Sequence, residues 1–338
     1  MKACIIEDVN QLVLKEIPDL PDPGEYECLC RNLYATACTG TDKKIIHNKL
    51  PWGSKYPAVL GHETIGEVVA VGNKVTSFEI GDLVLRTAYT LPGTTRNGYG
   101  AEFGGFSEYG FVSDIKAAEA AGVPEEEIPG YCVYQMKVPA EWKKMPEAVL
   151  LITMKETYSF IKSQPDCFGK RVAVIGAGTV GMFYMRFAAM FGAKEVVAIA
   201  NSMSGADRAL AVGADTFVAL GAGMKPEGQF DLVIDAAGIM DQINDYIPLV
   251  KKNGTLAIYG VSAGMGTHIE GFGSGINFSF KSPAENCQTV HDLCVSLVEK
   301  GFIDLKKYRS SIMPFDQIVE GVKAIENKTE FKPIFKFD

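Results

Sequence analysis

The sequence predicts an α/β chain built in two parts, a small β-rich portion and a doubly wound parallel sheet. Three observations carry that expectation. Residues 1 to about 110 alternate short apolar runs with Gly- and Pro-rich turns, the rhythm of a small, partly open β barrel. From Met145 the rhythm lengthens, and strand-length apolar runs alternate with helix-length amphipathic ones, as in a parallel sheet with crossover helices. At the first strand-to-helix junction stands Gly176-Ala-Gly-Thr-Val-Gly181, a Gly-x-Gly-x-x-Gly turn.

In chain order, strands are expected at Ala3 to Ile6, Leu12 to Glu16, Cys28 to Ala35, Thr64 to Val71 and Asp82 to Arg86. Pro21-Asp-Pro-Gly24 is a turn cluster between them, and the polar, Gly-rich stretch Leu91 to Gly105 is a loop. Asp114 to Pro129, rich in carboxylates and alanine, reads as a solvated helical insertion on the surface. Pro146 to Lys162 carries Ala148, Leu151, Ile152, Tyr158 and Ile161 at helical spacing. Parallel strands follow at Val172 to Ile175, Glu195 to Ala200, Thr216 to Ala219, Leu232 to Ala236 and Thr255 to Tyr259. The alternation is expected to stop near Gly275, leaving a tail with helices at Pro283 to Lys300 and Asp316 to Asn327.

Composition narrows the function classes. A chain of 338 residues, 47% apolar and 22% charged, can bury two sizeable cores and is neither disordered nor fibrous. A net charge of -8 argues against nucleic acid or an anionic membrane as partner. No apolar run approaches the roughly 20 residues that span a bilayer, and the start Met1-Lys-Ala-Cys-Ile-Ile reads as a strand, not a signal peptide. The eight cysteines are scattered and form no Cys-x-x-Cys, so reduced thiols in a cytoplasm are expected. Cys28 and Cys30 share one face of a strand and read as core.

The Gly-rich turn supplies a nucleotide site on physical grounds. Gly176 permits the tight turn, Gly178 lets the backbone approach a pyrophosphate, and Gly181 allows close packing of helix on strand. Thr179, Val180 and Gly181 open the following helix, whose N-terminal amides favour an anion. An NAD enzyme usually places an acid at the end of the second strand, about 24 residues after the first Gly, to hold the ribose hydroxyls. Here that strand ends on Ala200, followed by Asn201 and Ser202, with Ser204 and Arg208 just beyond. Nothing repels a 2′-phosphate, so NADP(H) is expected over NAD(H).

The stretch from Gly61 to Val84 begins Gly61-His62-Glu63-Thr64-Ile65-Gly66, then continues through Gly72 to Gly81-Asp82. An imidazole beside a carboxylate in a turn-rich β segment suits metal binding or proton transfer. The spacing of the glycines resembles the signature of the zinc-type medium-chain dehydrogenase/reductase superfamily, in particular its sorbitol, threonine and glucose dehydrogenase branch. The resemblance runs over essentially the whole chain. It implies a GroES-like β-rich catalytic domain from residues 1–150 and 278–338, and a Rossmann dinucleotide-binding domain from 151–277.

That resemblance also implies a catalytic zinc, held by a Cys of a Cys-Gly-Ser/Thr-Asp motif, by the His of Gly-His-Glu and by a later Cys, Asp or Glu. The motif's hydroxyl, here Thr41, would pass a proton outward. This chain departs from the pattern at two positions. Aligned on Gly40-Thr41-Asp42, the family's Cys falls on Thr39, and Cys38 lies one place early, on the opposite face if the strand continued. The later ligand falls on Ile152, with Glu156 one helical turn on. Cys38, His62, Glu63 and Glu156 are therefore the expected metal set; the alternative is a zinc-free proton relay of Thr41, His62 and Glu63 with Lys155 as an electrophile. The family's second, structural zinc is not expected, since residues 87 to 110 lack cysteine. Ala237, Gly260 and Val261 match segments that border the nicotinamide in relatives.

The resemblance implies reversible oxidation of a secondary alcohol on a small polar substrate, a sugar, polyol or sugar acid, by a homodimer or homotetramer. Two rivals stand beside it. One is a zinc-free NADPH-dependent reductase of an activated C=C or C=O bond, and the other is a non-catalytic dinucleotide-binding relative.

Overall fold

Glu27–Thr36 is the strand around which the first half of the molecule is assembled in the computed structural model, which describes the chain except residues 39, 51–52, 92, 129, 260–268, 270–272 and 281–285. Thr39, Gly260 and Val261 thus lie outside the described residues. Close contacts divide the chain into one unit of Met1–Ile152 with Arg309–Asp338 and a second of Thr153–Tyr308.

In the first unit, Glu27–Thr36 pairs antiparallel with Thr64–Val71 along one edge. Its other edge is shared between Tyr109–Ser113 and Ile334–Lys336. The register slips twice against Thr64–Val71, between Leu29 and Cys30 and between Asn32 and Tyr34; such bulges sharpen the twist that curls a sheet towards a barrel. A second sheet runs in the order Gln11–Glu16, Lys2–Asp8, Ala58–Val59, Tyr99–Ala101, Thr95–Arg96. Alternation along Glu27–Thr36 sends Cys28 and Cys30 into a core with Val68, Val84 and Val112, so these thiols are packing residues. The larger core gathers Ile6, Ile45, Leu60, Phe106, Ile318 and Phe335. Each such side chain taken from water stabilises by about 1.5–3 kcal/mol.

The solvated insertion expected over Asp114 to Pro129 differs at its first residue. Asp114 is 1% exposed, and its carboxylate accepts the backbone N–H groups of Thr76, Ser77 and Ala117. It caps the short helix Ile115–Ala120 while fastening the neighbouring loop. Glu125–Glu127 is exposed, as their charge requires.

The second unit begins at Thr153, within the helix Leu151–Lys162; Pro146–Leu150, expected to belong to that helix, is a 3₁₀ turn in the first unit. Its sheet is parallel throughout, in the order Thr216–Ala219, Glu195–Ala200, Arg171–Ile175, Phe230–Asp235, Val250–Ile258, Asn277–Phe280. Numbered by sequence that is 3-2-1-4-5-6, the Rossmann order, with the reversal beside Arg171–Ile175. The alternation does not stop at Gly275: Asn277–Phe280 is a further parallel strand on Thr255–Ile258. Buried Val, Ile and Phe from the strands form one core with Ile243 and Tyr246. Among the described residues no helix is long and apolar enough to cross a membrane.

Candidate functional site

Strand Glu27–Thr36 delivers the chain to the first cluster. Pairing ends with Thr36, whose amide donates to Glu63 O at 3.0 Å and whose hydroxyl donates to Pro333 O at 2.7 Å. Cys38 therefore lies beyond the last paired residue, and strand alternation no longer dictates its face. A turn fixes it instead. Cys38 N donates to Asp42 Oδ2 at 2.7 Å, and Asp42 N donates to Cys38 O at 3.0 Å. Thr41 opens the helix Thr41–Ile46 from this turn, and its hydroxyl has no hydrogen-bond partner among the described residues.

Gly61 sets the entry of His62. Its φ is 100°, and a Cβ there would fall 2.2 Å from the Phe106 ring, so only glycine fits. His62 is buried and packs at 5.0 Å from the Phe103 ring. Its Nδ1 meets Asp42 Oδ1 at 3.2 Å, which orients the ring and leaves Nε2 as the ligating nitrogen. Burial works against charge on this imidazole, but the Asp42 carboxylate and the Cys38 sulfur outweigh it and hold its pKa well above the ordinary value.

Glu63 is 3% exposed and paired with the buried ammonium of Lys332. Lys332 Nζ also donates to Ala37 O at 3.1 Å. Burial pushes the Lys332 ammonium towards neutrality, yet Glu63 more than offsets it and its pKa ends raised. The ligand atoms of Cys38, His62 and Glu63 lie within 4.8 Å of one another. Thiolate, imidazole and carboxylate form the donor set of a zinc site with three protein ligands. Bonds of about 2.0–2.3 Å would bring these donors to roughly 3.3–3.8 Å, a movement of about 1 Å from the limit observed. The residues fit the metal. Glu156 stands on the helix Leu151–Lys162 in the second unit and is not a member of this group.

Two members of the cluster carry no role in the sequence reading. Asp42 had a signal, being the carboxylate of Gly40-Thr41-Asp42 four residues from Cys38. Lys332 had none, since it lies 269 residues from Glu63.

In the second unit the Gly-rich turn has the geometry a dinucleotide needs. A Cβ on Gly181 would sit 1.8 Å from Gly176 O, whereas one on Gly178 would meet nothing within 4 Å. The turn is thus closed on the helix side and open where a pyrophosphate approaches. Gly178 caps the helix Thr179–Met190; Thr179 is buried with its hydroxyl on Tyr308 O, and Val180 is half-buried. Ala200 ends its strand half-buried, with Asn201 and Ser202 exposed and Ser202 Oγ 3.0 Å from Ser204 Oγ. A Cβ on Gly205 would touch the Ala177 Cβ at 2.8 Å and lie 3.7 Å from an Arg208 guanidinium nitrogen. Arg208 therefore reaches the neighbourhood of the Gly-rich turn. The Ala237 amide, by contrast, is taken by Asp235 Oδ1 at 3.0 Å.

Comparison with known proteins bears on both clusters. Residues 24–124 match the alcohol dehydrogenase GroES-like domain, and residues 179–281 match the zinc-binding dehydrogenase domain. The chain is 30% identical over 266 residues to a probable cinnamyl alcohol dehydrogenase 6 of Arabidopsis thaliana, covering 71% of this chain and 68% of that one. It is 29% identical over 287 residues to glucose 1-dehydrogenase of Thermoproteus tenax, covering 78% and 76%. A protein of Sinorhizobium meliloti 1021 solved with NADP has the same fold, with TM-score 0.79, 23% identity and coverage of 99% and 98%. A GroES-like half with a Gly-His-Glu metal-capable cluster, a Rossmann half and these matches give one answer: the chain belongs to the zinc-type medium-chain dehydrogenase/reductase superfamily, among the alcohol dehydrogenases.

Proposed function

We propose that this protein is an NADP(H)-preferring dehydrogenase that interconverts a secondary alcohol and a ketone on a small polar substrate, a sugar, polyol or sugar acid. The observation that carries the reading is the convergence of Cys38, His62 and Glu63 within 4.8 Å. In this reading they hold one zinc, with Asp42 orienting His62 and Lys332 partly neutralising Glu63. When bound, zinc supplies a Lewis acid for the alcohol oxygen and the nicotinamide supplies the hydride acceptor. Oxidation removes a hydride from the carbinol carbon and a proton from its hydroxyl. Thr41 Oγ, unpaired in its turn, accepts that proton and passes it outward. The preference for NADP(H) is supported by Ala200 in place of an acid and by Arg208 near Ala177. The sugar and polyol class is supported by the similarity to a glucose 1-dehydrogenase.

Metal analysis coupled to turnover tests this. The purified protein should carry about one zinc per chain and reduce NADP⁺ with at least one sugar, polyol or sugar acid; His62→Ala should lose both. A second reading draws on the Glu63–Lys332 ion pair, because a carboxylate already neutralised by an ammonium needs no cation. In that case the protein would take up no zinc, and NADPH would be consumed with activated alkenes or carbonyls instead.

A further inference from the structure

The strand Phe230–Asp235 ends on a carboxylate that no solvent reaches. Asp235 is 0% exposed. Its Oδ1 accepts the N–H of Ala237 at 3.0 Å and of Gly238 at 3.2 Å, while Oδ2 is buried without a partner. An acid wholly inside a fold is costly unless its placement serves something. The two amides it holds belong to the loop that follows the strand, and that loop lies against the Gly-rich turn. Ala236 N donates to Ile175 O at 2.9 Å, and a Cβ on Gly176 would sit 3.2 Å from Ala237 N and 3.4 Å from its Cα. The Gly176 turn and the 236–238 loop are thus two walls that meet without slack, and Asp235 sets where the second wall stands.

We infer that Asp235 is a positioning residue for the dinucleotide, holding the loop Ala236–Gly238 in the shape that completes the site opened by the Gly176 turn. The inference rests on the nucleotide reading of that turn and adds a residue to it. The role is one of geometry and not of charge. Burial pushes the Asp235 carboxyl above the ordinary carboxylate range, with the two amides pulling it partly back. The two loop amides need only an acceptor at the place of Oδ1, which the carbonyl oxygen of an asparagine also offers. Asparagine should therefore replace it without loss. Alanine frees both loop amides, and the loop relaxes away from the position that the cofactor meets.

Fluorescence titration with NADPH and NADH tests this on the full-length protein. Asp235→Ala should weaken the better cofactor at least tenfold, Asp235→Asn should stay within twofold of wild type, and kcat at saturating cofactor should change less than threefold. If the alanine variant does not fold, Asp235→Ser, too short to hold both amides, should show the same weakening. Val218→Ala, in the core of the same sheet, controls for lost stability and should lower Tm without changing cofactor affinity. Wild-type affinity in Asp235→Ala overturns the inference alone. Weakening in Asp235→Asn as large as in Asp235→Ala overturns it too, by making charge the cause. A wild type that binds neither dinucleotide overturns the nucleotide reading and this inference together.

Discussion

At the scale of single residues, the Glu63–Lys332 pair is where stability and chemistry meet. Removing one partner of a buried pair leaves a charge in low dielectric, at a cost of about 3–5 kcal/mol. Lys332→Met should therefore lower the melting temperature sharply in metal-free protein. Added zinc should recover part of the loss, since a cation on Glu63 replaces the missing ammonium. Melting curves of the variant with and without zinc check both statements; an equal loss in the two would remove Glu63 from the ligand set. What the sequence could disclose here follows from distance along the chain. His62 and Glu63 are adjacent and flanked by the glycines that position them. Cys38 was legible as a thiol but its face was not, because alternation was extended past Thr36, where pairing ends. Lys332 left no trace, as a contact made between remote segments has no period and no spacing.

At the scale of elements, Asp114 joins a helix start to a loop from elsewhere in the sheet. Burial alone would raise its carboxyl, but the N–H groups of Ser77, Thr76 and Ala117 outweigh it and hold it below the ordinary range. A carboxyl lowered in the folded state stabilises above its unfolded pKa of about 3.9, and the benefit disappears as pH falls through the lower folded value. Asp114→Ala should cost about 1–2 kcal/mol at pH 7, the scale of a lost helix cap. Urea unfolding of both proteins at pH 7 and near pH 3 should show that gap narrowing in acid; a gap independent of pH would contradict the assignment. The acidic composition of 114–129 suggested solvent, and for Glu125–Glu127 that is where the charges are. Composition could not single out Asp114, because the amides it serves come from residues 76 and 77 as well as from its own helix. The sixth strand was missed for a related reason: Asn277–Phe280 alternates polar and apolar among glycines and lacks the continuous apolar run of its neighbours.

At the scale of the whole molecule, the parallel sheet was the most legible part, since strands buried on both faces are written as unbroken Val and Ile runs. The proposed preference for NADP(H) can be tested at its carboxyl edge. Ala200→Asp should place a carboxylate where the ribose is expected, weakening NADP(H) at least tenfold relative to NAD(H). Ratios of kcat/KM for the two cofactors measure it, and an unchanged ratio would move the discriminating contacts away from this strand end.

The pairing of Glu27–Thr36 with Ile334–Lys336 also orders events during synthesis. A ribosome makes the entire stretch Thr153–Tyr308 before it makes the strand that pairs with Tyr34–Thr36, and before it makes Lys332. The parallel sheet can close on its own residues while the N-terminal half still waits, with the Tyr34–Thr36 end of that edge unpaired and Glu63 without its counter-charge. The half that is translated first is therefore finished last. A messenger interrupted shortly before residue 332 would yield a chain with every strand of the parallel sheet present but with Glu63 left without its buried counter-charge.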